Sequence, residues 1–154
     1  MIGPKDLDPL AQEILRHTLD GDLAVAASFL DVVTEHGDGA DLFGVCCAAA
    51  ETARGALLTL FPDAGAAEGD RWQLPPGLAD QLAADPHRLF AARFTTAYLN
   101  DDRVMALALF QATEAAGCRD RTESICALLA HVRCLTLRAE QGPATPDHPG
   151  GVPA

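Results

Sequence analysis

Moved forward by 80 positions, residues 17–60 fall on residues 97–140 without a gap, and the marks that start, break and stop helices fall on one another. Leu19 meets Leu99, Asp20 meets Asn100, Asp22 meets Asp102 and Ala26 meets Ala106; further on, Gly37 meets Gly117, Cys46 meets Cys126, Ala50 meets Ala130 and Leu57 meets Leu137. Both segments read in the same order: helix, acidic turn, helix, glycine stop, long helix. Carboxylates before an apolar stripe can take up the orphan amides of a helix start, and glycine past its end suits a helix stop.

Asp8-Pro9 and Asp85-Pro86 carry the same start chemistry, since Pro fits the first helical turn. Leu10, Ile14 and Leu15 continue from the first pair, and Leu89, Phe90, Phe94 and Tyr98 from the second, at helical spacing. Leu23, Ala26, Leu30 and Val33 form one further stripe, and Met105, Leu109 and Ala112 another. A third helix is predicted over 41–60, ended by Phe61-Pro62, with Gly37 in a left-handed C-terminal position and Asp38-Gly39 as a turn. A final one is predicted over 120–140, apolar along Ile125, Leu128, Leu129, Val132 and Leu135. The expectation is an all-α fold: one helical bundle of about six main helices, built as two similar three-helix halves over 7–61 and 85–140. A connector spans 62–84 with a short helix near 78–84, and the Pro- and Gly-rich stretch 141–154 is expected to be disordered.

Asp102-x3-Ala106-x3-Phe110 and Asp22-x3-Ala26-x3-Leu30 resemble the second helix of a tetratricopeptide repeat over about ten residues in each half. The departures are large. The spacing is not that family's, its closing proline is absent and the third helix is too long.

The chain has 154 residues, a length that suits one domain over 1–140. Its formal charge is -11, and the imbalance sits on one side: residues 1–85 hold Lys5, Arg16, Arg54 and Arg71 against fifteen acids, while 86–154 hold seven of each sign. A global positive field for nucleic acid is therefore excluded. No apolar run is expected to span a bilayer, and without an apolar leader the expected location is cytoplasmic.

Sequence motifs for catalysis are lacking: no G-x-S-x-G, H-E-x-x-H, P-loop or dinucleotide glycine pattern occurs. Cys126, His131 and Cys134 form the best metal-like group, but on one helix their directions diverge, and no knuckle spacing supports zinc. The five cysteines are expected to be reduced, buried, small apolar residues. No cofactor and no metal is expected. Gly44, Ala48, Thr52, Gly55, Ala56 and Thr59 line one sector of the third helix, where a neighbour could approach closely.

The leading expectation is a non-catalytic protein-binding or regulatory module. Asp31, Glu35 and Asp38 of the acidic half would face a basic protein partner, and Trp72, in the connector, and His131, on the mixed face of the last helix, are further contact candidates. Self-association into a homodimer is open. The alternative is a small-ligand binder or enzyme with a pocket between the halves, with His17, Cys126 and His131 as candidate groups; an acidic nucleic-acid mimic is a third reading.

Overall fold

The computed structural model describes residues 4–64 and 71–142. Seven helices and no strand occur among them: α1 (Pro4–Asp20), α2 (Leu23–His36), α3 (Gly39–Leu60), α4 (Leu78–Gln81), α5 (Pro86–Leu99), α6 (Arg103–Ala116) and α7 (Cys118–Glu140). The all-α bundle follows from the stripes. The stretch 143–154, expected to be disordered, lies outside the described residues.

Side-chain oxygens start three of the six long helices. Asp38 and Asp41 form a reciprocal box: each carboxylate accepts the other's backbone N–H, both at 3.0 Å. Asp85 accepts the Arg88 N–H at 3.1 Å with Pro86 in the first turn, and Asp102 accepts that of Met105 at 3.0 Å. Asp22 departs from this pattern. It makes no cap bond, and its carboxylate lies 3.8 Å from His17 Nδ1 instead.

Two turns repeat at the 80-residue spacing. Gly21 (φ +86°) and Asp101 (φ +55°) both take the left-handed conformation. Next to them the Asp22 N–H reaches the His17 carbonyl and the Asp102 N–H that of Ala97, both at 2.9 Å. Ala26, Leu30 and Val33 bury one face of α2, as Ala106, Phe110 and Thr113 do on α6. The likeness is local. α5 lies broadly along α7, whereas α1 packs chiefly on α2 and meets α3 over a shorter stretch.

α3 is central, touching α1, α2, α5, α6 and α7. It buries Leu42, Val45, Cys46, Ala49, Ala50 and Ala53, and the small side chains let α7 lie close. Large rings fill what remains. Phe94 is fully buried, 5.4 Å from Phe90 and edge-on to Phe43 at 5.9 Å, and Phe43 in turn meets Phe110 at 5.6 Å. This chain of rings ties α5 to α3 and α6.

Several expectations change. α1 starts at Pro4, earlier than Asp8-Pro9 led one to expect, and carries Pro9 inside it. α3 starts at Gly39 and α7 at Cys118, each earlier than predicted. Gly37 is extended, not left-handed; a Cβ there would lie 2.6 Å from the Val33 carbonyl oxygen, and that close approach is its reason for being glycine. Gly44 packs under Leu7, but Gly55 is exposed and a Cβ there would meet nothing among the described residues. Only Cys46 is fully buried; Cys118, Cys126 and Cys134 are exposed. α3 is, by length and composition, apolar enough to cross a bilayer, contrary to the expectation that no segment is; in this fold its most apolar side packs in the core.

Candidate functional site

The C-terminal ends of α3 and α7, the middle of α5 and the connector leave a space of about 800 Å³ between them. Its walls are mostly apolar: Leu57 and Leu60 from α3, Leu99 from α5, Leu135 from α7, and Leu74 and Trp72 from the connector. Among the described residues nothing fills the space between these helix ends and the connector residues Trp72–Leu78.

Trp72 is half-buried, and its backbone is held in place. The Asn100 side chain accepts the Trp72 N–H at 2.7 Å and donates to the Trp72 carbonyl at 2.9 Å. One amide at the α5–α6 turn thus fixes the register of the connector wall.

Polar groups are few here. His131 reaches the cavity from α7, and burial, with Arg138 and Arg88 nearby, lowers its basicity below the ordinary imidazole value. Its neutral form is the stable one at neutral pH, which suits an apolar surrounding. Thr95 also lines the cavity at 3% exposure, and its hydroxyl has no hydrogen-bond partner among the described residues. Neighbouring Thr96 returns its hydroxyl to the Ala92 carbonyl at 2.8 Å. Arg138 stands exposed at the rim.

The residues singled out in the sequence therefore divide. Trp72 and His131 come together on one cavity. Asp31, Glu35 and Asp38 lie elsewhere, exposed on α2 and at the start of α3, and Asp38 is engaged as a helix cap. His17, Cys126 and His131 do not converge: His17 stacks on Phe29 at 5.5 Å, Cys126 is exposed on α7, and His131 faces the cavity. Burial also raises the Cys46 and Cys47 thiols above the ordinary value, and at Cys126, open at the surface, partial desolvation with the Asp31 and Glu123 carboxylates nearby does the same, away from the thiolate that a nucleophile needs.

Two arrangements were not visible in the sequence. Tyr98 donates to Glu51 at 2.7 Å, while Arg54 lies 5.1 Å over its ring and 3.3 Å from Glu51. Burial and that donated bond push the Tyr98 phenol up to about 12. The protonated ring therefore adds stability that is complete below the unfolded value of about 10 and is lost as pH rises through the folded one. Since the chain has one Tyr, alkaline absorbance titration reads this group alone. The midpoint should lie near 12 in the native protein, fall in denaturant and fall in Glu51→Ala; one common midpoint would remove the Glu51 bond from the account. The second arrangement brings His87 of α5 against Asp120, Glu123 and Ser124 of α7.

Compared with protein families, curated proteins and solved structures, the chain gives no match.

Proposed function

We propose that this chain is a non-catalytic binding module that takes a small, mainly apolar molecule, aromatic or acyl in character, into the cavity beside Trp72 and His131. The observation that carries the reading is the cavity itself: about 800 Å³, apolar-walled, with a few polar groups on it. Small-molecule sites have about 300–1,000 Å³ and the same mix of apolar wall and sparse polar contact. The buried Thr95 hydroxyl, without a partner among the described residues, adds support, since such groups are normally satisfied.

Trp72 is the single tryptophan and lines this space, so its emission reports on occupancy. Titration with naphthalene and with decanoate should give a saturable change in emission and a rise in Tm for at least one of them. Asn100→Ala removes both bonds to the Trp72 backbone and should weaken binding by about tenfold as the wall loosens. Neither an emission change nor a Tm rise with both probes would end this reading.

One observation favours a second reading, docking of a basic protein. Asp31 and Glu35 stand exposed one helical turn apart on α2, beside the exposed Val32. Their replacement by Lys should weaken such a complex and flatten its salt dependence.

A further inference from the structure

The imidazole of His87 is held from both sides. Its Nδ1 lies 3.0 Å from the hydroxyl of Ser124, a residue only 3% exposed. Its Nε2 lies 2.9 Å from a Glu123 oxygen and 3.8 Å from an Asp120 oxygen. Asp120 and Glu123 are three residues apart on α7 and so share a face, while His87 comes from the second position of α5. One donor atom from each of the three residues falls within 4.8 Å of the others. All three are partly open to solvent, and His87 and Asp120 line a cleft of about 380 Å³ between α5, α6 and α7.

We propose that His87, Asp120 and Glu123 form a site for one divalent transition-metal ion, of the manganese–cobalt–zinc class, with Ser124 positioning the imidazole. Donors bound about 2.0–2.2 Å from a tetrahedral ion stand roughly 3.3–3.6 Å apart. The observed 2.9 and 3.8 Å from Nε2 bracket that spacing, and the two carboxylate oxygens lie within 4.8 Å of each other, so closing the set takes side-chain rotation. One imidazole with two carboxylates suits ions of this class better than magnesium, which prefers oxygen and water. The set leaves positions for water, as an open site does and a closed structural one does not.

Ser124 makes the exchange possible. In the metal-free form, with the ring proton on Nε2 toward Glu123, the Ser124 hydroxyl would donate to Nδ1. With a metal on Nε2 the ring proton moves to Nδ1, and the same hydroxyl turns to accept it; a hydroxyl is the side-chain group that can do both. Arg119 pairs with the other Glu123 oxygen at 2.9 Å, which leaves one oxygen facing the ring.

Manganese and cobalt ions, added separately to the full chain at neutral pH, test this by calorimetry and, for cobalt, by visible absorption. One ion should bind per chain. Asp120→Asn should weaken binding at least about tenfold with only a small fall in metal-free Tm, because Asp120 is half-exposed and its pair with His87 is long, at 3.8 Å. His87→Gln should abolish the cobalt spectrum, and Ser124→Ala should weaken affinity about tenfold while leaving the stoichiometry at one. No saturable binding up to about 1 mM of either ion, or affinity that is unchanged in both His87→Gln and Asp120→Asn, would overturn the site.

Discussion

Phe94→Ala is expected to cost about 3–5 kcal/mol of folding free energy, the usual range for removing a buried ring whose neighbours cannot collapse into the space. Phe94 has no exposed surface, and Phe90 and Phe43 pack on two of its sides. Those neighbours are themselves held, Phe90 on α5 and Phe43 between Phe94 and Phe110, so the void stays largely open. Against a typical total of about 5–15 kcal/mol, that loss would unfold a marginal bundle near body temperature. Urea denaturation of the two proteins measures it. A difference below about 1 kcal/mol would mean that the ring chain does not join α5 to α3 and α6 in the way described.

Ala92→Trp is expected to abolish binding of a cavity ligand while leaving folding stability within about 1 kcal/mol of the parent. Ala92 lies on α5 against the cavity and is 5% exposed. An indole placed in a well-packed core would cost about 1–3 kcal/mol through forced rotamers and backbone shifts. Placed at the edge of some 800 Å³ of unfilled space, it meets little resistance and takes the ligand's room. Calorimetric titration with the probe that the parent binds, together with a urea curve, reads both halves. Binding at parental strength, or a loss of stability as large as in a packed core, would show that the space is not open at this wall.

Helix order was legible because it depends on local chemistry. Asp85-Pro86, Asp102 and the paired turns at 20–22 and 100–102 act through bonds to their own near neighbours, and the stripes of Ala26-Leu30-Val33 and Ala106-Phe110 mark the buried faces directly. Where a cap gave way to a different contact, as Asp22 did to His17, the sequence had no signal, because the choice is made between elements.

The sites were legible only in part, for the same reason. Trp72 and His131 were singled out separately, as a lone aromatic and a helix imidazole; nothing in their spacing says that one cavity holds both. What brings Trp72 there is Asn100, at a helix break that reads simply as a turn. His87, Asp120 and Glu123 escaped notice because a search by ligand spacing looks along one helix, and here the imidazole comes from another. The acidic face of α2 was the easiest feature to read and is the least built, since Asp31 makes no ion pair among the described residues and Glu35 meets only its exposed neighbour His36, at 4.0 Å.

The claim that most needs a direct measurement is that the space beside Trp72 is where a small apolar molecule resides. Intermolecular proton NOEs between a bound naphthalene or decanoate and the isotope-labelled protein locate the ligand by contact. A ligand in this space gives NOEs to the Trp72 indole, the His131 ring and the methyl groups of Leu57, Leu60 and Leu135. NOEs confined to the exposed side chains of α6, such as Val104 and Leu107, with none to Trp72 or His131, would contradict that placement.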